Sequence, residues 1–329
     1  MKKLAFLFVL MCTTAFAFAQ PIATLQHGEN FSVYYGIDAF AEASAAADDG
    51  DIITLSSGQF NGAEITKAIT LHGAGVVQDE ISQTPPTTIT SFTHIDIESH
   101  SLPLNIEGVN FNSNVYLLDT LFHANFMKCD FSCIASSTCT FGDVQFINCR
   151  LNITSVRTFS DFNTNLRFFN SVVTGLSAGP VDNIGQYLYA YNTIFYNTLA
   201  CAKFYLYNCI LLEEVFSDSF FYNCLGYNTD PSYTGTNAYY DCIMNISDIT
   251  EIFANIDHFA PSLFEDDFSL TDEMINSFHG TDGGQVGIYG GAMPHNTRPG
   301  YLILNRTTVG SQSDPNGFLN MDIEILDEE

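Results

Sequence analysis

The sequence predicts an all-β solenoid, and two observations carry that prediction. The first is a recurring phrase: an apolar or aromatic pair, then Asn, then a small residue that is usually Cys, then more apolar residues. It reads Phe146-Ile147-Asn148-Cys149, Phe168-Phe169-Asn170-Ser171, Ala190-Tyr191-Asn192-Thr193, Leu206-Tyr207-Asn208-Cys209 and Phe221-Tyr222-Asn223-Cys224, with Lys128-Cys129 before the set and Asp241-Cys242 after it. The small residues fall 20, 22, 22, 16, 15 and 18 positions apart, which is one solenoid coil and far longer than a helical or strand period. The second observation is composition: 46% of residues are hydrophobic and only 14% charged, so the chain has ample material for a core and is not a disordered acidic tail.

Taken in order, the chain opens with Lys2 and Lys3 and an apolar run from Leu4 that closes on Ala17-Phe18-Ala19. A charged start, apolar middle and small-residue exit are the marks of a secretory signal over residues 1–19, with cleavage expected before Gln20. Cys12 sits inside the apolar run behind Val9-Leu10-Met11, a poor match to a lipoprotein anchor. No later stretch reaches the ~20 apolar residues of a membrane span, so no transmembrane segment is expected in the mature chain. Export without a span predicts a secreted or cell-surface protein.

Residues 37–47, Ile-Asp-Ala-Phe-Ala-Glu-Ala-Ser-Ala-Ala-Ala, predict a short helix with Ile37, Phe40, Ala41, Ala43 and Ala47 toward one side. Asp48-Asp49-Gly50 ends it. Such a helix would plug the open end of a solenoid whose first coil otherwise exposes its core. It is followed by Gly50-Asp51-Ile52-Ile53-Thr54-Leu55, by Gly58-Gln59-Phe60, and by Lys67-Ala68-Ile69-Thr70-Leu71-His72-Gly73-Ala74-Gly75.

A capping helix followed by Gly-Asp-x-Ile and then Lys-x-Ile-x-Leu-x-Gly-x-Gly resembles the opening of right-handed parallel β-helix proteins of the pectin-lyase-like superfamily, secreted bacterial type. The resemblance extends from Ile37 to about Pro294. Leu104-Asn105-Ile106-Glu107-Gly108-Val109-Asn110-Phe111 fits the same coil, Gly108 lying 21 residues before Cys129. Gly280-Thr281-Asp282-Gly283-Gly284-Gln285-Val286-Gly287-Ile288-Tyr289-Gly290-Gly291 resembles the last coil of such proteins, its glycines serving turns and close backbone contacts. At ~20 residues per coil the β-helix domain, residues 20–294, would hold roughly eleven coils. Residues 295–329 then form a short β tail, with Tyr301 to Leu304 and Phe318 to Ile325 as two strands. Two strands are too few for an independent domain.

Charge narrows the partners. Without the signal the chain has 8 Lys+Arg against 37 Asp+Glu, a formal charge of −29. Such a surface repels nucleic acid and anionic polymers and favours cations or neutral ligands, so a polysaccharide or surface glycan is the expected partner and nucleic acid is not. Eight cysteines remain in an exported chain, where disulfides are the first thought. Cys129 and Cys149, and Cys209 and Cys224, occupy equivalent repeat positions and would stack at the ~4.8 Å strand spacing, the short end of disulfide Cα separations. The other reading is a ladder of small buried thiols. A zinc site is not expected, because the spacings lack paired Cys-x2-Cys knuckles.

With the small residue counted as zero, the columns five and three before it are apolar, which turns them inward. Those holding Val144, Leu166, Leu188 and Phe204, and Phe146, Phe168, Leu206 and Phe221, are the inner ones. The columns between them point out. Tyr189, Tyr191, Tyr205, Tyr207, Tyr222 and Tyr240 then form a stripe of outward aromatics, the expected substrate-binding residues, because flat apolar faces with a polar rim suit neutral sugar rings. The stripe could equally be covered by a loop or the tail, or be core if the register slips by one. The Asn column reads as structural, stacked amides satisfying turn backbone.

A second candidate is His94-Ile95-Asp96-Ile97-Glu98. Alternation turns His94, Asp96 and Glu98 to one side, polar groups ~7 Å apart and so suited to carboxyls flanking a glycosidic bond with a water between them; a solvated strand face reads the same. No cofactor is required. Asp48-Asp49-Gly50-Asp51 has the composition of a Ca²⁺ turn, and equally that of a plain turn. Glu265-Asp266-Asp267 reads as a solvated acidic run.

The catalytic elements that the resemblance would imply are missing. The superfamily's polygalacturonases carry Asn-x-Asp, Asp-Asp, Gly-His-Gly and Arg-x-Lys in successive coils. Here Asp48-Asp49 and Asp266-Asp267 lie outside the central coils and Phe278-His279-Gly280 departs from Gly-His-Gly. Its pectate lyases act on uronates, which need positive charge, whereas Arg150, Arg157, Arg167 and Lys203 are the only basic residues of the middle coils. The expectation is a secreted non-catalytic β-helix protein that binds a glycan or acts as a surface adhesin through its tyrosine face. The alternative is a polysaccharide-degrading hydrolase or lyase using His94, Asp96 and Glu98.

Overall fold

A computed structural model of the chain describes residues 20–78, 84–97, 102–118, 120–136, 140–156, 165–178, 187–196, 199–200, 204–212, 215–216, 218–229, 236–256, 267–296, 303–309 and 321–326. The chain divides into two compact units, residues 1–298 and 299–329.

The first unit is a parallel β-solenoid with two long sheets. One has twelve strands, in the order Asn30–Tyr35, Ile22–His27, Ile52–Leu55, Thr70–His72, Leu104–Glu107, Thr120–Met127, Thr140–Ile147, Asn165–Phe169, Tyr187–Tyr191, Phe204–Tyr207, Phe220–Tyr222 and Ala238–Tyr240. Every pairing from Ile52–Leu55 onward is parallel; the first two strands form an antiparallel hairpin that pairs antiparallel with Ile52–Leu55. The other sheet has fifteen strands, its main path running from Gly58–Phe60 to Ile243–Ile246.

The chain passes from the long sheet to the other at a sharp corner, and that corner explains the repeated phrase. Lys128, Asn148, Asn170, Asn192, Asn208, Asn223 and Asp241 all sit there with φ between 46° and 57°, and Gly108 does so at 68°. Left-handed backbone costs ordinary residues ~1–2 kcal/mol and is tolerated by Gly and Asn. These corners delimit about seven regular turns, not the eleven that a constant twenty-residue period implies. The shortfall lies at both ends. From Thr70 to its sheet partner Asn105 the chain spends a long excursion, and the described residues of 247–296 add no strand to either sheet.

The small residue after each corner is a hook. Cys129, Cys149, Cys209 and Cys224 are buried free thiols whose Sγ–H groups donate to the carbonyls of Met127, Ile147, Tyr207 and Tyr222 at 3.2, 3.3, 3.3 and 3.4 Å. Ser171 and Thr193 make the same bond with hydroxyls, to Phe169 and Tyr191 at 2.8 and 3.0 Å. The hook also accepts from the previous coil, Cys129 N–H to Cys149 Sγ at 3.4 Å and Cys149 N–H to Ser171 Oγ at 3.1 Å. A small donor-acceptor side chain is therefore what the column needs, which is why Cys, Ser and Thr interchange in it. Burial raises the Cys149 and Cys224 thiols well above the ordinary range.

Inside the coils, inward residues stack on their counterparts one coil away. Phe126 lies on Phe146 with ring centroids 4.9 Å apart and Phe146 on Phe168 at 5.7 Å, while Phe131 meets Phe126 edge-on at 5.5 Å. The helix Ala39–Ala46 lays Ala39, Phe40 and Ala43 against this same core. A second core lies on the outside of the fifteen-stranded sheet. Val172, Ile194, Ile210 and Leu225 face outward there and are covered by Ile249, Ile252, Phe253, Phe268, Val286 and Ile288. Their strands are buried on both faces, which consecutive apolar residues such as Ile210-Leu211-Leu212 already signal.

In the second unit, Ile303–Val309 pairs antiparallel with Met321–Leu326, Ile303 opposite Leu326 and Val309 opposite Met321. Among the described residues no helix is long and apolar enough to cross a membrane.

Candidate functional site

The inward columns of the twelve-stranded sheet are buried throughout, Val144, Leu166, Leu188 and Phe204 in one and Phe146, Phe168, Leu206 and Phe221 in the other. Strand alternation then fixes two outward rows. One pairs Gln145, Arg167, Tyr189, Tyr205 and Phe220 in succession; the other pairs Ile147, Phe169, Tyr191, Tyr207, Tyr222 and Tyr240. All six tyrosines named from the sequence therefore lie on one face of one sheet. Tyr189, Tyr191, Tyr205, Tyr207 and Tyr222 are half-buried, and Tyr240, on the last strand, is 47% exposed.

Their rings are not splayed toward solvent. Phe169, Tyr191, Tyr207, Tyr222 and Tyr240 stack with successive centroids 5.2, 5.1, 4.7 and 4.8 Å apart and planes within 8° of parallel. Tyr189, Tyr205 and Phe220 form a shorter stack at 5.4 and 4.8 Å. Stacking at strand spacing covers the ring faces with other rings, so the expected row of open flat faces is instead a row of ring edges. Such edges are electropositive C–H rims, and sugar ring oxygens and hydroxyls meet them differently from a face. The crowding raises the Tyr207 phenol, first through burial and then through Tyr222 and Tyr191 on either side. Tyr191 is raised by burial and by Tyr189, with the Arg167 guanidinium opposing.

Toward the first coils the first of these rows becomes polar, through Arg167, Gln145, Asn125 and Asn105, while the second stays apolar through Ile147 and Met127. Asn125 Nδ2 donates to Asn105 Oδ1 at 2.9 Å, continuing the ladder in amides. Asp143 takes the Arg167 guanidinium and the Asn165 amide, the latter at 3.1 Å. The Arg167 row thus grades from amides to aromatics, with Asp143 and Asn165 in the next outward row beside it.

The second set of candidates is elsewhere. His94 and Asp96 belong to the fifteen-stranded sheet and its margin, not to the tyrosine face. Alternation holds as expected, Ile95 and Ile97 being buried and His94 and Asp96 partly exposed. His94 stacks on Tyr116 at 5.2 Å, and the Asp96 N–H donates to the Ile65 carbonyl at 3.0 Å. Glu98 lies outside the described residues, as do Glu265 and Asp266.

Asp49, Asp51 and Asp267, from the two acidic runs, are held by backbone and neighbouring polar groups. Asp51 accepts from Asp48 N–H at 2.9 Å and pairs with His27 Nδ1 at 2.8 Å, while Asp49 accepts from Ala68 N–H at 2.8 Å. Asp267 is held below the usual carboxylate range chiefly by the Ser269 hydroxyl. Among the described residues no group of three or more His, Cys, Asp or Glu side chains is placed to hold a metal ion.

What the sequence does not reveal is the partner of the Asn column. The amides mainly bind the segment 279–295, which runs back along the corners instead of adding a last coil. Asn170 Nδ2 donates to Ile288 and Gly290 carbonyls at 2.8 and 2.7 Å, Asn208 Oδ1 accepts from Thr281 N–H at 2.7 Å, and Asn223 Nδ2 reaches the His279 carbonyl at 2.9 Å. His295 closes the strap, its Nδ1 bonded to the Asn170 carbonyl at 2.9 Å. The signal was the glycine spacing: a Cβ on Gly290 would lie 1.7 Å from the Gln285 carbonyl and 2.6 Å from Asn192 Nδ2. No protein-family model, no curated protein and no solved structure matches this chain.

Proposed function

We propose that this chain is an exported, non-catalytic right-handed β-helix protein, akin to the pectin-lyase-like superfamily in architecture, that holds a neutral glycan against the outward face of its twelve-stranded sheet. The observation that carries the reading is the register: two adjacent outward rows align aromatic rings over successive coils, and one of them continues into Arg167, Gln145 and Asn125. An aromatic edge next to fixed amides offers apolar contact and hydrogen bonds together, the pairing that sugars require. The formal charge of −27 for the whole chain opposes anionic polymers at this surface. The helix Ala39–Ala46 would close the first coil of the stack, and binding without turnover would make the protein an adhesin or glycan receptor at the cell surface.

The test is a titration of neutral polysaccharides with the protein and two double variants. Tyr207→Ala with Tyr222→Ala should abolish binding. Tyr207→Phe with Tyr222→Phe keeps the stack and removes only the hydroxyls, and should weaken binding by roughly tenfold, the worth of one or two hydrogen bonds. Undiminished binding by the Ala variant would remove the reason for this reading. Release of new reducing ends would favour a polysaccharide-degrading enzyme, for which His94, Asp96 and Glu98 are the residues to replace.

A further inference from the structure

Among the described residues, the outermost strand of the twelve-stranded sheet, Asn30–Tyr35, is paired on one side only, with Ile22–His27. Phe31, Val33 and Tyr35 are 64%, 47% and 63% exposed and alternate along it, so they share one face. The main-chain bonds show which way their amides point. Gly36 N–H donates to the Pro21 carbonyl, so the chain at 36 faces the first strand. Ile22, opposite Tyr35, spends both its N–H and its carbonyl on Ser56, on the far side. Bonded and non-bonded pairs alternate in an antiparallel ladder, so Tyr35, Val33 and Phe31 direct their own N–H and C=O groups away from the sheet. Solenoids and open sheets normally protect such an edge with charge, Pro or a bulge. Here the strand Asn-Phe-Ser-Val-Tyr-Tyr holds no charged residue and no Pro.

We propose that this edge joins two copies of the chain through a two-fold antiparallel strand pair centred on Val33. The strand is self-complementary about that residue. Val33 then lies opposite Val33 of the second copy, and Phe31 opposite Tyr35, so each of the three residues exchanges both main-chain bonds with its counterpart. On the same face two aromatic pairs flank the central valines, cross-strand pairs that stabilise antiparallel neighbours. A self-matching patch gives a closed, isologous dimer, and the long sheets of the two copies become one, placing both outward faces on the same continuous surface. Glu29 and Asp38 flank the strand, so repulsion between copies is screened by salt.

The full chain is examined by sedimentation at a series of concentrations and salt levels, with Val33→Pro, Val33→Lys and Val33→Cys. The wild type should dimerise, more tightly at higher salt. Val33→Pro removes an N–H that points away from the sheet, a position where an edge strand accepts Pro, and should weaken the dimer about tenfold or more; Val33→Lys keeps the amide and adds like charge at the centre. Bonded antiparallel residues lie ~5.5 Å apart at Cα, within disulfide reach, so oxidised Val33→Cys should give a covalent dimer and Ser32→Cys should not. A wild type monomeric at every concentration, or a dimer indifferent to both Val33→Pro and Val33→Lys, overturns the proposal. Capture of a strand from another protein by a monomer is the first of these outcomes.

Discussion

Asn148 and Asn170 occupy equivalent left-handed corners, at φ 53° and 46°, yet their side chains fare differently. Asn170 donates twice to the strap, whereas Asn148 Oδ1 is buried without a partner among the described residues. Gly tolerates the same backbone, so replacing each by Gly isolates the side chain. Asn170→Gly should cost about 1–3 kcal/mol of folding stability, and Asn148→Gly should be neutral or stabilising by up to ~1 kcal/mol, in denaturant titrations. The thiol hooks make a pH prediction. Cys149 and Cys224 are raised by burial, and Cys242 by its bond to Cys224 and by burial, so the folded chain keeps protons that the unfolded chain releases. Stability is then full below the ordinary thiol pKa of ~8.5 and falls as pH rises above it. Cys149→Ser with Cys224→Ser should flatten that alkaline decline while costing little at neutral pH, because Ser171 already fills the column.

At the scale of elements, the strap and the tyrosine stack make separate tests. His295 is held below the usual histidine range by burial, its bond to the Asn170 carbonyl opposing. The unfolded chain therefore binds this proton more readily, and the strap's stability, complete above pH ~6.5, declines as pH falls through that value. Amide protection within residues 279–295, corrected for the pH dependence of intrinsic exchange, should fall between pH 7.5 and pH 5 more than protection in the core strands, and His295→Asn should lose that dependence. In the aromatic stack Tyr207 touches Tyr191 and Tyr222, and each stacked pair is worth ~0.5–1.5 kcal/mol beyond its buried area. Tyr207→Ala should thus destabilise by about 1–3 kcal/mol and Tyr207→Phe by less than ~0.5 kcal/mol. The outward tyrosine rows, the inward Phe columns and the Asn corners were legible because a period of two within strands and of one coil between them leaves few registers. The ring stacking was not, because alternation gives the side on which a ring lies and not how it turns against its neighbour. The strap was hidden for a related reason: no local pattern says which distant backbone an Asn amide will meet.

For the whole molecule, architecture was readable and extent was not. A recurring phrase identifies a parallel solenoid, but dividing length by period assumes every residue joins a coil. Here Ile249, Ile252, Phe253, Phe268, Val286 and Ile288 build a second core against the outside of the fifteen-stranded sheet, and the regular stack stops at about seven turns. That layer has a functional consequence, since it covers outward Val172, Ile194, Ile210 and Leu225 while the tyrosine rows of the same coils keep partial exposure. The proposed role of this partly exposed face is to hold a neutral glycan without cleaving it. The most direct measurement incubates the full chain with a panel of neutral and acidic polysaccharides and reads retained protein and released products from the same samples. Retention on one or more neutral polymers, none on the acidic ones, and no products is the expected result; release of products, or retention confined to acidic polymers, would rule this role out.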